Sequence, residues 1–213
     1  MFKRLGSPPK HQTPNTKHQT PNTKHQTPNT KHQPTMFPKN FSSELVLKAK
    51  EYAILKHFET NHKYDGKPYE VHLEMAFEFA CKYVHLLPDE KTISEVLAAV
   101  WAHDVIEDCR QNYTDVKKVL GENVAELVYA LTNEKGKNRK ERANDKYYEG
   151  IRTTPFADYV KICDRLANVN YSKLHNESLL SVYRKEHDHF KKQLWKVTNQ
   201  EMFEELEWVL MDR

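Results

Sequence analysis

The chain has 213 residues, with 33 Lys and Arg, 30 Asp and Glu and 12 His, for a formal net charge of +3 at pH 7; that length suits one globular domain with an appendage. The basic excess lies in an acid-free N-terminal stretch carrying Lys3, Arg4, Lys10, Lys17, Lys24 and Lys31, which leaves 27 bases against 30 acids elsewhere, so the folded part has no nucleic-acid footprint and no specific nucleic-acid partner is expected. Cys81, Cys109 and Cys163 form neither a disulfide framework nor a metal pair, no segment reaches the length of a membrane span, and no signal-peptide core opens the chain, so a cytoplasmic location without a membrane partner is expected.

From the N-terminus, the repeat Lys-His-Gln-Thr-Pro-Asn-Thr starts at Lys10, Lys17 and Lys24 and breaks off after Gln33. Such a polar, Pro-bearing stretch cannot bury enough apolar surface to fold alone. Residues 1–37 therefore read as a disordered tail and 38–213 as the folded domain, with Met36 an alternative start. The tail's four histidines, joined by no acid or cysteine, read as incidental.

The folded part reads as all-α. Ser42 or Ser43 caps a first helix with Leu45, Ala49, Tyr52 and Ala53 on its apolar stripe. Asp65-Gly66-Lys67-Pro68 is a turn. It leads to a helix with His72, Ala76, Phe79 and Tyr83 on one face. Thr92-Ile-Ser-Glu95 reads as a capping box for the next helix, which ends at His103-Asp104. A short helix from Thr114 to Leu120 stops at Gly121, and another packs Val124, Leu127, Val128 and Leu131. Residues 133–142 form a basic loop. A long helix from about Phe156 carries Val160, Cys163, Asp164 and Ala167. Leu179, Val182, Tyr183, Phe190 and Leu194, then Phe203, Leu206 and Val209, mark the last helices.

The most informative segment is Leu97-Ala-Ala-Val-Trp-Ala-His-Asp-Val-Ile-Glu-Asp108. An apolar helix has no structural use for four ionisable groups at its end, and taking charges out of water costs several kcal/mol per ion without compensation. If the helix continues, His103 and Glu107 share one face and Asp104 and Asp108 the next. A helix-end histidine is also a common cap or ion-pair partner, and Arg165 or Lys161 would serve as a base for a buried Asp164. Yet three helices each place a ligand type on an apolar face: His72, His103 with Asp104, and Asp164. Two histidines and two carboxylates suit Mn²⁺, Fe²⁺ or Zn²⁺ with positions left for water, and Glu107 and Asp108 remain free for proton work.

These residues also carry a family resemblance. The order His72, His103-Asp104, Asp164 resembles the HD superfamily of metal-dependent phosphohydrolases. Gly66-Lys-Pro-Tyr-Glu-Val-His72, His103-Asp-Val-Ile-Glu-Asp108 and Lys161-Ile-Cys-Asp-Arg-Leu-Ala-Asn168 resemble, in order and spacing, motifs of the RelA/SpoT-type alarmone hydrolases, over roughly residues 44–195. The resemblance implies an HD-domain helical bundle whose His72, His103, Asp104 and Asp164 hold one Mn²⁺ or another divalent transition metal. Glu107 and Asp108 would activate the attacking water. Lys161 belongs to the last motif, and Asn168 would contact the nucleotide. The implied reaction removes the 3′-pyrophosphate of guanosine 3′,5′-bispyrophosphate, ppGpp or pppGpp, giving GDP or GTP and pyrophosphate.

Two departures bear on the substrate. Lys63-Tyr64 stands where that family commonly has an Arg to stack on the base, and lysine is a poorer platform than guanidinium. Val169-Asn170 replaces a common Met-Arg. Lys137, Arg139 and Arg142 of the basic loop are the candidates for phosphate contacts instead, with an ordinary solvated turn as the alternative. The runner-up readings are an HD phosphohydrolase for another nucleotide (an adenosine alarmone, an NADPH-type phosphate, a nucleoside monophosphate) and a non-catalytic nucleotide-binding module. The remaining length has no room for a synthetase domain, and a homo-oligomer is compatible with such a domain.

Overall fold

The computed structural model describes residues 43–211, which are helical almost throughout. Helix α1 (Ser43–Glu59) buries Val46, Ala49 and Ala53. A two-residue hairpin follows, β1 (Lys63–Tyr64) antiparallel to β2 (Lys67–Pro68), with Lys63 opposite Pro68 and Tyr64 opposite Lys67. Asp65 and Gly66 at its tip both have positive φ, 51° and 77°. Those are the signs a type I′ turn requires, which is why Asp-Gly suits it. The tail, Met36 and the Ser42 cap lie outside the described residues.

Helix α2 (Glu70–Lys82) buries His72, Leu73, Ala76 and Ala80, and a 3₁₀ turn (Val84–Leu86) leads on to α3 (Glu90–Ala102). Every residue of α3 from Val96 to Ala102 is buried, as expected for a helix apolar all round. It packs against α1, α2, α6 and α9. The start expected at Thr92 is corrected: Asp89 is the N-cap, its carboxylate accepting from the Thr92 N–H at 2.9 Å. Aspartate is the stronger cap, so the helix begins earlier than the Thr-x-x-Glu pattern indicates.

The helix ends at the His103-Asp104 pair, as expected, and does not continue through Asp108. Helix α3 ends at Ala102, His103 and Asp104 form a turn, and α4 (Val105–Asp108) is a separate single turn. Helix α5 (Tyr113–Leu120) is capped by Asn112 and Asp115 and stopped by Gly121 at φ 91°. Helix α6 (Glu122–Leu131) follows directly.

Within the expected basic loop, Asn138 caps the single turn α7 (Arg139–Arg142). Helix α8 (Asp145–Thr153), which the sequence reading passes over, is capped by Asn144 and buries Tyr147, Tyr148 and Ile151. Helix α9 (Ala157–His175) runs through the centre against α2, α8, α10 and α11. Helix α10 (Glu177–Leu194), a 3₁₀ turn (Val197–Asn199) and α11 (Gln200–Leu210) complete an all-α bundle. Among the described residues, no helix is long and apolar enough to cross a membrane.

Leu97 is fully buried on α3, whereas Leu47 on α1 is 57% exposed. Leu97→Ala is expected to cost about 2–5 kcal/mol of unfolding free energy. Leu47→Ala should stay within about 0.5 kcal/mol. Urea denaturation of both variants checks the placement of the core.

Candidate metal centre and active site

Three elements bring the ligand candidates together. Helix α2 supplies His72, the turn after α3 supplies His103 and Asp104, and α9 supplies Asp164. His72 Nε2 lies 3.3 Å from His103 Nε2, 3.3 Å from Asp164 Oδ1 and 3.7 Å from Asp104 Oδ2. His103 Nε2 is 3.0 Å from Asp104 Oδ2 and 3.7 Å from Asp164 Oδ1. His72, His103 and Asp104 form a group able to hold a metal ion. Ligands about 2.0–2.2 Å from one cation stand roughly 3.0–3.5 Å apart in tetrahedral or octahedral arrangements. The measured separations match that range to within about 0.2 Å.

The break in the helix makes this possible. Because the chain turns at His103-Asp104, these adjacent side chains converge instead of diverging on neighbouring faces. Glu107 is thereby separated from His103: it is exposed, and Asn133 Nδ2 donates to both of its oxygens at 2.9 Å.

Further side chains orient the cluster. The His103 ring donates through Nδ1 to the Val100 carbonyl at 2.7 Å, which leaves Nε2 free to bind a cation. The Tyr69 hydroxyl donates to Asp104. Asp164 receives Lys161 Nζ at 2.7 Å and Asn168 Nδ2 at 2.6 Å. Arg165, the other candidate partner, instead pairs with Glu186. The Tyr64 ring stacks on His72 at 5.0 Å, and its hydroxyl donates to Asn168 at 3.1 Å.

The electrostatics favour positive charge at the cluster's centre. Burial would lower the His103 pKa, but Asp104 and Asp164 outweigh it and hold the ring well above the usual histidine range. Burial opposes ionisation of Asp164, yet Lys161 and the two histidines hold its carboxyl well below the usual range. The donor set thus fits a divalent cation. Asp108 behaves oppositely: burial, then Asp104 and Glu107, push it up to about 7.

A cleft of about 610 Å³ opens over Asp104 and Asp164. Glu107, Asp108, Lys161 and Asn168 line it, as do Arg139 and Arg142 from α7. Lys63, Tyr64 and Lys137 do not. Lys63 is exposed on the hairpin, and Lys137 is tied by its backbone N–H to Glu141. Tyr64 lies under His72, where it supports a ligand candidate from below. The Asn168 amide is occupied by Asp164 and Tyr64, so its geometry serves to place Asp164.

Tyr69, Asn133, Lys140, Lys185, Tyr147 and Tyr148, which the sequence reading gave no role in the site, also line the cleft, as do Arg165, read there only as a partner for Asp164, and Tyr183, read only as a packing residue. Asn133 carried no motif, whereas Tyr69 lay inside one already quoted. Arg139 and Arg165 both pair with Glu186 across the cleft, at 2.9 and 3.0 Å. Among the described residues, Lys140 and Arg142 have no carboxylate partner within 4 Å, which leaves them available to an anion.

No protein-family model matches the chain. Over 131 residues, 60% of its length, it is 35% identical to a guanosine-3′,5′-bis(diphosphate) 3′-pyrophosphohydrolase of Aquifex aeolicus (strain VF5), a match spanning only 18% of that protein. It is 27% identical over 132 residues to the Drosophila melanogaster enzyme of that name, MESH1, covering 61% of this chain and 70% of that one. The Homo sapiens MESH1 is 28% identical over 127 residues, 58% of this chain and 67% of that one. A solved structure described as "A metazoan ortholog of SpoT hydrolyzes ppGpp and plays a role in starvation responses" superposes with a TM-score of 0.61 at 22% identity, over 82% of this chain and 96% of the other. The chain is similar to the HD-type hydrolases that its motifs resemble, and it shares their helical bundle.

Two side chains of the cluster are chosen for test because each offers one atom to the centre. His103→Ala and Asp164→Ala are each expected to lose bound metal while the far-UV circular dichroism stays helical. Full metal occupancy in both variants, read by elemental analysis, would contradict the assignment.

Proposed function

We propose that the domain hydrolyses the 3′-pyrophosphate of ppGpp or pppGpp, using one Mn²⁺ held by His72, His103, Asp104 and Asp164. The carrying observation is that His72 and His103, 3.3 Å apart, each lie 3.0–3.7 Å from carboxylate oxygens of Asp104 and Asp164, two acids that line a cleft, in a chain similar to 3′-pyrophosphohydrolases by name. A divalent cation there lowers the pKa of water toward neutrality and offsets charge on phosphate oxygens.

The chain's own residues supply the rest. Asp108 and Glu107 flank the cluster as proton acceptors, and a carboxyl pushed up to about 7 suits a base working near neutral pH. As the water oxygen bonds to the phosphorus next to the 3′-oxygen, its proton passes to Asp108. The bond from that phosphorus to the 3′-oxygen breaks, the nucleoside recovers a 3′-hydroxyl by taking up a proton, and pyrophosphate leaves. Glu107, fixed by Asn133, orients the water. Lys140, Arg142 and Lys161 meet the phosphates.

Purified protein with Mn²⁺, assayed against ppGpp, its adenosine counterpart, NADPH and GMP, is expected to release pyrophosphate from ppGpp preferentially. Preference for another arm of the panel would replace the substrate while leaving the hydrolase reading in place. Glu107→Gln and Asp108→Asn should retain metal yet lose about 10²–10⁴-fold in kcat. Near-normal turnover in both would mean that the water is activated elsewhere.

A further inference from the structure

The two acids beside the cluster are held differently. Glu107 is clamped through both oxygens by Asn133. Among the described residues, Asp108 accepts no hydrogen bond within 3.5 Å. His62 Nδ1 lies 3.8 Å from Asp108 Oδ2, and Asp104, Glu107, His103 and Arg142 also bear on that carboxyl electrostatically. A half-buried carboxylate without a fixed partner has nothing to aim it, and a proton acceptor displaced by an ångström loses much of its effect.

His62 is itself firmly placed. Its Nδ1 lies 3.0 Å from His57 Nδ1. Both rings stack on Tyr69, at 4.2 Å for His57 and 4.1 Å for His62. His57 is only 2% exposed; burial, outweighing a contribution from Asp104, lowers its pKa to about 3, so it stays neutral. The Tyr69 hydroxyl in turn donates to Asp104. The ring stack therefore links a candidate metal ligand to the neighbour of Asp108.

We propose that His62, with its ring fixed by His57 and Tyr69, is the positioning residue for Asp108. Resting on the hydrolase reading above, this adds to it what aims the proton acceptor. The tautomer that fits carries Nδ1–H on His62, where one donor faces both His57 Nδ1 and Asp108 Oδ2. The opposite tautomer would point a lone pair at the carboxylate. The fitting arrangement leaves the buried His57 Nε2 as the group without a partner, as the structure has it. His62 does not itself line the cleft and meets its lining at Asp108 and Tyr69, so the coupling to Asp108 has to be read separately from any effect through Tyr69.

The test is a double-mutant cycle in the full chain, with metal content measured in each variant. His62→Ala should lower kcat about 10–100-fold, with KM and bound metal unchanged. In the Asp108→Asn background it should cause no further loss, because the two act as a unit. His62→Gln, which keeps an N–H donor, should recover part of the lost rate. Losses that multiply, or a His62→Ala variant with normal kcat, would overturn the proposal. A second readout needs no turnover: Asp108→Asn should move the ¹⁵N resonance of His62 Nδ1. An unmoved resonance would overturn the proposal even if ppGpp proves not to be the substrate, whereas failure of every nucleotide assay with a moved resonance would fault the function alone.

Discussion

Four ionisable side chains meeting at the buried centre of an apolar bundle are the constraint on which the rest of the structure depends. His72, His103 and Asp164 are less than 9% exposed, and burying charges costs several kcal/mol per ion unless partners compensate. Local compensation is visible in Lys161 on Asp164, Tyr69 on Asp104 and the Val100 carbonyl on His103. It is incomplete, because two imidazole Nε2 atoms face one another at 3.3 Å and can share at most one proton. A divalent cation there, as proposed, would meet both nitrogens and the Asp104 carboxylate beside them.

Helix geometry follows from the same constraint. An unbroken α3 would spread His103 and Asp104 about 100° apart around its axis. Ending the helix at Ala102 and restarting at Val105 lets both reach one point. It also sets Glu107 and Asp108 at the rim of the cleft, where one is clamped and the other is aimed only through a neighbouring histidine. The cleft's cations divide in a related way. Arg139 and Arg165 share the single carboxylate of Glu186, which offsets one of their two charges, while among the described residues Lys140 and Arg142 have no carboxylate within 4 Å. Arg142 bears electrostatically on Asp108, so part of that positive charge acts beside the acids.

Much of this was legible in the residues. His72, His103 and Asp164 could be placed on apolar helix faces because a 3.6-residue period is visible without coordinates. The all-α class followed from the same periods. The helix end at His103-Asp104 was legible from the ionisable groups that close an apolar run, whereas the restart at Val105 was not, since neither residue is a helix breaker. Helix α8 was missed because its three buried side chains, Tyr147, Tyr148 and Ile151, are too few to mark a period beside a run of basic residues. Lys63 and Lys137 attracted attention by their charge, but a lysine's position relative to a cleft depends on tertiary packing. His57 and His62 escaped because their pairing depends on the turn that ends α1, where Asn61 takes a positive φ and the His62 N–H donates to the His57 carbonyl.

The central claim is that one cation completes the cluster, and thermal unfolding of metal-stripped protein tests it most directly. Added Mn²⁺ should raise Tm, with the rise growing logarithmically above saturation as required for a ligand bound only by the folded state. The Asp104→Asn variant should show little or no rise. A Tm indifferent to Mn²⁺ and to other divalent transition metals, in a chain that remains folded, would contradict the account.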